Sequence, residues 1–177
     1  MINPLQSQEL VLTFYLLMGN GSVEAQGKVV ISTNPDGTRE IGKKLGLLLG
    51  PGDLVALAGP LGAGKTVFVK GMASGLGVEE EVTSPSFNIV IEYRGRAPFY
   101  HVDFYRLGIE SEAIGVGVEE YIYGEGVTAI EWADRFPNLL PPRRLDVRID
   151  FGKKDQERVL MFMPHGKRME EIATLLL

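Results

Sequence analysis

Gly59, Gly64, Lys65 and Thr66 stand within GPLGAGKT in the order glycine, four residues, glycine, lysine, threonine. That spacing suits one piece of chemistry, the holding of phosphate groups. Glycines let the backbone curl so that successive N–H groups converge on a concavity, and a helix starting near Lys65 aims a partial positive charge of about half a unit at it. The Lys65 ammonium adds a full charge for the β- and γ-phosphates, and the Thr66 hydroxyl can sit on Mg²⁺. A pattern this short arises by chance in roughly one chain in a hundred. Its weight therefore rests on context: a strand has to lead into it and a helix has to leave it.

A loop of this kind is completed by a carboxylate at the end of a neighbouring strand, which holds or orients the hydrated Mg²⁺. Asp103, after Phe99-Tyr100-His101-Val102, and Glu131, after Val127-Thr128-Ala129-Ile130, both have that context. Strand alternation puts His101, Asp103 and Tyr105 on one face and Val102 and Phe104 on the other, so the polar face could line a nucleotide site. A plain structural reading stands beside each: a solvated edge face for the first segment, a surface acid beside a core tryptophan for Glu131-Trp132. Ser84-Pro85-Ser86 could close over a γ-phosphate as a switch segment or be a proline-stiffened connection. Arg106 and Arg135 could neutralise transition-state charge or be solvated side chains.

The elements that must position these residues are legible. Lys28 to Ser32 reads as a strand. Asn34 then caps a helix with Pro35 in its first turn; Ile41, Leu45, Leu48 and Leu49 follow at helical spacing, and Gly50-Pro51-Gly52 stops it. Leu54 to Ala58 is a short apolar run of the buried-strand kind, and Lys65 to about Leu76 is the helix after the loop. Downstream, Asn88 to Tyr93, Phe99 to Tyr105, Val127 to Trp132, Leu145 to Phe151 and Arg158 to Met163 read as strands, with Arg94-Gly95-Arg96-Ala97-Pro98 as a turn. Helices are expected near Ser111 to Tyr123 and Met169 to Leu177. The order predicts a single α/β domain from residue 28 to 177, its sheet mixed, the early part parallel and the C-terminal strand pair antiparallel.

Composition bounds the rest. With 45% hydrophobic and 23% charged residues the chain has ordinary soluble usage. Its 177 residues include no cysteine, which excludes disulfides, thiolate metal sites and Cys catalysis and makes the cytoplasm the default home. The net charge is −5 and the basic residues are scattered in pairs such as Arg143-Arg144, not gathered into a footprint for gripping nucleic acid. That charge does not argue against a phosphate site, because beyond a Debye length of ~8 Å it is screened. Leu10 to Met18 is far short of the ~20 apolar residues of a membrane span. The first basic residue is Lys28, so a signal peptide's positive start is missing too. Residues 1 to 27 read as an N-terminal extension.

Taken together, GPLGAGKT, VTSPSF, YHVDFYRL, GVEEY and AIEWADRF, in this order and at these intervals, resemble the TsaE family (formerly YjeE) over roughly Val29 to Arg158. These are small bacterial P-loop ATPases needed to make threonylcarbamoyladenosine beside the anticodon of tRNAs that read codons beginning with A. The resemblance implies a P-loop NTPase fold around a mixed, mostly parallel sheet flanked by helices. It implies ATP bound by Leu61, Gly62, Ala63, Gly64, Lys65 and Thr66, Mg²⁺ held by Thr66 with Glu131, and Asp103 in hydrolysis near His101 and Ser84-Pro85-Ser86. It also implies TsaD and TsaB as partners, with tRNA reached only through that complex and no membrane. Two positions depart from the family pattern: Ser86 replaces a threonine and keeps the hydroxyl, while Val67 replaces a second threonine after the loop and removes a phosphate contact.

Other readings compete. A small-molecule kinase shares the loop and the size but needs an arginine-rich lid, and the downstream chain offers few arginines in such a pattern. A GTPase would need an Asn-Lys-x-Asp guanine reader, which does not occur. A nucleotide-gated assembly module without functional turnover needs the same cradle as an ATPase, and sequence does not separate the two.

Overall fold

The computed structural model describes residues 27–85 and 87–176. The expectations for residues 1–26, Ser86 and Leu177 fall outside them. The strands are β1 (Lys28–Ser32), β2 (Leu54–Ala58), β3 (Val90–Arg94), β4 (Pro98–Asp103), β5 (Val127–Glu131), β6 (Arg144–Phe151) and β7 (Arg158–His165). The helices are α1 (Pro35–Leu48), α2 (Lys65–Gly75), α3 (Glu110–Gly115), α4 (Val118–Ile122) and α5 (Lys167–Leu176), with short 3₁₀ turns at Ala133–Arg135 and Pro137–Leu139.

One seven-stranded sheet runs in the order β1-β7-β6-β2-β5-β4-β3. The inner strands β6, β2, β5 and β4 are mutually parallel, and antiparallel pairings add β3 at one edge and β7 then β1 at the other. The mixed α/β sheet and the antiparallel β6–β7 pair match the sequence reading. The early strands β1 and β2 run in the same direction, as expected, without being neighbours. The β6–β7 hairpin lies between β1 and β2, so β1 points the same way as β2 but is hydrogen-bonded to β7.

Leu54 to Ala58 forms the doubly covered strand its unbroken apolar run suggests. Val55 and Leu57 face a core shared with Leu45, Phe68, Met72 and Phe162, under α1, α2 and α5. Leu54 and Ala56 face a second core with Val102, Phe104, Val118, Ile130 and Phe136, under α3, α4 and the 3₁₀ turns. Beyond that second core β6 alternates, with Leu145, Val147 and Ile149 buried and Arg144, Asp146 and Arg148 partly exposed.

The α1 start is as expected. Asn34 is extended and its side chain accepts the Gly37 N–H at 2.8 Å, with Pro35 in the first turn. The segment expected as one helix, Ser111 to Tyr123, is instead α3 and α4. Gly117 between them has φ 76°, a left-handed conformation that breaks the helical hydrogen-bond run.

Helices α1 and α2 touch backbone to backbone. A Cβ on Gly42 would lie 2.2 Å from the Phe68 carbonyl oxygen, and one on Gly71 would lie 2.1 Å from that of Arg39. Only hydrogen in place of a side chain permits this approach. Arg96, in the β3–β4 turn, then ties both helix ends together. Its guanidinium donates to the carbonyls of Gly75 (2.6 Å), Gly46 (2.7 Å) and Leu49, satisfying acceptors that a helix end leaves open. The loop at the head of α2 therefore stands on a braced helix.

Candidate functional site

The glycine loop joins β2, the strand at the centre of the parallel set, to α2. Gly59 is forced by space: a Cβ there would meet the Ile149 carbonyl oxygen at 2.1 Å. Gly64 is forced by conformation, with φ 100° immediately before the helix and open room where a side chain would project. Ala63 N–H closes a turn onto the Pro60 carbonyl (3.2 Å), and Phe68 N–H bonds back to Gly64 (3.0 Å). The first-turn amides ahead of Phe68 are the ones an α-helix leaves without an internal acceptor, which makes this end an anion-facing surface.

Lys65 is almost wholly buried, and its ammonium is held within the loop itself. It donates to the carbonyls of Gly59 (2.7 Å) and Pro60 (3.0 Å) and lies 3.7 Å from the centroid of the Trp132 ring. Burial pushes its pKa below the usual lysine value, opposed by the negative field of Glu131, Asp134, Asp103 and Asp150. Trp132 reaches this place in a left-handed conformation, φ 59°, uncommon for a bulky residue, and its ring lies beside Tyr105 at 4.9 Å between ring centroids.

Both candidate acids come to the loop. Glu131 continues the face of Val127 and Ala129, and Asp103 continues that of Phe99, so both face the side covered by α2. They are paired in register across β4 and β5. The edge-face and surface-acid readings fall: β4 lies inside the sheet, and His101, Asp103 and Glu131 are buried. The alternation expected through Tyr105 stops at Asp103, where the strand ends, and Tyr105 is exposed.

Glu131 Oε1 accepts two hydrogen bonds, from the Thr66 hydroxyl at 2.8 Å and from His101 Nε2 at 2.9 Å. A carboxylate oxygen can only accept here, so His101 carries its proton on Nε2, and its buried Nδ1 has no partner among the described residues. Both bonds fall on Oε1, which leaves Oε2 for a cation or its water. A hydroxyl and a carboxylate are the hard oxygen donors that suit Mg²⁺, which takes one or two of them and fills its remaining positions with water and phosphate oxygens. The residues present fit that ion.

Asp103 is held on both oxygens. Oδ1 accepts the Tyr105 N–H at 2.8 Å, and Oδ2 accepts the Ser84 hydroxyl at 3.0 Å, which brings the Ser84-Pro85 segment to the site. The two arginines weighed as charge neutralisers are turned to other contacts: Arg106 lies 4.0 Å over the Phe87 ring, and Arg135 donates to the Leu107 carbonyl at 2.6 Å. One residue of the site was not singled out from the sequence. Arg158 donates to the Ala63 carbonyl at 3.0 Å from the far end of the chain, and nothing in its local sequence announces that contact.

A glycine loop between a parallel strand and a helix, in a sheet of this order, defines a P-loop protein. Comparison with known proteins gives the family. Residues 32–160 match the family described as "Threonylcarbamoyl adenosine biosynthesis protein TsaE". The chain is 44% identical to the tRNA threonylcarbamoyladenosine biosynthesis protein TsaE of Bacillus subtilis over 140 residues, 78% of this chain and 87% of that protein. It is 45% identical to the protein of the same name from Treponema pallidum over 111 residues, 63% of this chain and 82% of that one. A crystal structure of Bacillus subtilis YdiB superposes with a TM-score of 0.76 at 37% identity, covering 88% of this chain and 97% of that one. The chain belongs to the TsaE family.

Proposed function

We propose that this protein binds and hydrolyses ATP, and that it acts with TsaD and TsaB in forming threonylcarbamoyladenosine next to the anticodon of tRNAs reading codons that begin with A. The observation that carries the reading is the hydrogen bond from Thr66 in the glycine loop to Glu131 at the end of the adjacent strand. It joins the loop hydroxyl and the strand carboxylate that a phosphate-bound Mg²⁺ requires, at one point and on buried, rigid elements. The relatives' names supply the pathway.

In this reading the amides from Leu61 to Thr66 bind the phosphates, and Lys65 leaves the Gly59 and Pro60 carbonyls to bridge the β- and γ-phosphate oxygens. Thr66 and Glu131 hold the Mg²⁺, which supplies charge neutralisation on the phosphates. His101 keeps the Glu131 carboxylate turned toward Thr66. Asp103 orients the attacking water and draws on its proton as the water oxygen bonds to the γ-phosphorus and the bond to the β–γ bridging oxygen breaks, giving ADP and phosphate. The Tyr105 N–H and the Ser84 hydroxyl, one on each Asp103 oxygen, fix the orientation of that carboxylate. Among the described residues no helix is long and apolar enough to cross a membrane.

Turnover measured alone and with TsaD and TsaB tests the proposal. Slow hydrolysis that rises with the partners is expected. Unchanged turnover across those mixtures would favour a passive nucleotide-gated module, and phosphate transferred to a metabolite would favour a kinase.

A further inference from the structure

We propose that Arg158 is the positioning residue that keeps the glycine loop in its phosphate-binding shape; this rests on the nucleotide reading above. The loop from Gly59 to Gly64 consists of glycine, proline, leucine and alanine, so it has no polar side chain with which to hold itself. Among the described residues, two side chains donate to its carbonyls. Lys65 takes Gly59 and Pro60. Arg158 takes Ala63, from Nε at 3.0 Å, and Gly62, from Nη2 at 3.5 Å.

The two differ in what becomes of them when phosphate binds. Lys65 carries the charge the phosphates require, so its bonds to the loop are given up on binding. Arg158 is anchored elsewhere. Its Nη1 donates to the carbonyls of Asp155 and Glu157 in the β6–β7 turn, both at 2.8 Å, and its guanidinium lies 4.8 Å from the Phe151 ring at the end of β6. Its backbone is paired with Phe151 on one side and Ser32 of β1 on the other. One planar group thus fastens the loop to the hairpin edge of the sheet, and it stays in place after Lys65 has moved.

The consequence for binding follows from the peptide plane. In a planar trans peptide the C=O and the following N–H point in opposite directions. Drawing the Ala63 carbonyl onto Arg158 turns the Gly64 N–H away from Arg158, toward the concavity at the head of α2. Gly64, with φ 100° and no side chain, can rotate out of that orientation at little steric cost. Arg158 removes that freedom. Only a fork with donors on separate nitrogens can reach the loop and the turn together; a lysine ammonium is a single point.

The test is calorimetric titration of wild type, Arg158→Lys and Arg158→Met with two probes, ADP and inorganic tripolyphosphate, beside the thermal midpoint of each nucleotide-free protein. Both variants are expected to weaken both probes by a similar factor, roughly tenfold or more, while the lysine variant, which keeps the charge and an aliphatic stem of similar length, melts close to wild type. Wild-type affinity in Arg158→Lys would overturn the proposal, because charge alone would then suffice. Loss of ADP affinity with tripolyphosphate unchanged would overturn it too, placing Arg158 at the base of the nucleotide. If wild type bound neither probe, the nucleotide reading itself would fall and this inference with it. Wild type binding both while the variants bind equally well would remove Arg158 alone.

Discussion

The Lys65 ammonium lies 3.7 Å from the centroid of the Trp132 ring while it donates to the carbonyls of Gly59 and Pro60. A cation over an indole face is stabilised by the ring's quadrupole, by about 2 kcal/mol where water is excluded. The loop lysine therefore starts from a satisfied state, and phosphate has to outcompete two carbonyls and a ring. Trp132 is the chain's one tryptophan, so this exchange has its own optical reporter.

Addition of ADP should change the Trp132 emission of the wild-type protein as Lys65 leaves the ring. Lys65→Ala should lose most nucleotide binding, by roughly a hundredfold or more, because a full charge and its hydrogen bonds disappear from the cradle. A fluorescence titration reads both. Unaltered emission at saturating ADP would mean that the lysine stays on Trp132 and does not serve the phosphates.

Glu131→Gln keeps the shape of the side chain and removes its charge. The Mg²⁺ concentration needed to support nucleotide binding should rise about tenfold or more, and an unchanged metal titration would show that another group holds the ion.

His101 donates from Nε2 to Glu131, and a glutamine amide can place a nitrogen near the same point. His101→Gln should therefore stay near wild type in the same Mg²⁺ titration, while His101→Phe, which leaves Glu131 without that donor, should shift it by about tenfold. Equal shifts in the two variants would mean that His101 serves packing alone.

Asp103→Asn can still accept the Tyr105 N–H through its oxygen and offer its amide to the Ser84 hydroxyl, so the local fold has no reason to change. Nucleotide affinity should hold while single-turnover hydrolysis falls by roughly a hundredfold or more, the usual contribution of a positioned carboxylate to proton transfer. Normal hydrolysis would remove Asp103 from the mechanism.

The contact between α1 and α2 makes a stability prediction. Gly71→Ala would drive a methyl to 2.1 Å from the Arg39 carbonyl oxygen and should cost about 2–3 kcal/mol as the two helices separate. Gly50→Ala, with nothing within 4 Å of the added carbon, should stay within roughly ±0.5 kcal/mol. Urea denaturation of the two variants gives the comparison, and similar midpoints would mean that the helices repack at no cost.

Much of the site was legible because its signals are local. The glycine loop announces itself by residues that no other geometry requires, and β2 and α2 on either side follow from an apolar run and a helical start. Asp103 and Glu131 were found as the last residues of apolar strands, since a strand's end is where a polar side chain can face a ligand without disturbing the core. The break between α3 and α4 was missed because Glu110 to Ile122 carries a helical pattern, and its two glycines, Gly115 and Gly117, do not say in sequence whether either will adopt a positive φ. The end of β4 at Asp103 was missed for a similar reason: alternation in His101-Val102-Asp103-Phe104-Tyr105 continues in the sequence after pairing has stopped.

What the sequence determined by itself is the chemistry at hand: which residues form a phosphate-holding loop, which two acids end strands, and the family blocks that connect them. What only the tertiary structure decided is which groups share a proton or a bond. Glu131 accepts from Thr66 and His101, Lys65 rests on Trp132, and Arg158 reaches Ala63 across a separation of 95 positions. The physical reason is the strand order. Placing β5 beside β2, β4 beside β5 and β7 beside β1 is a matter of sheet pairing between distant segments, and a hydrogen bond a few ångströms long exists only once that pairing has brought its two ends together.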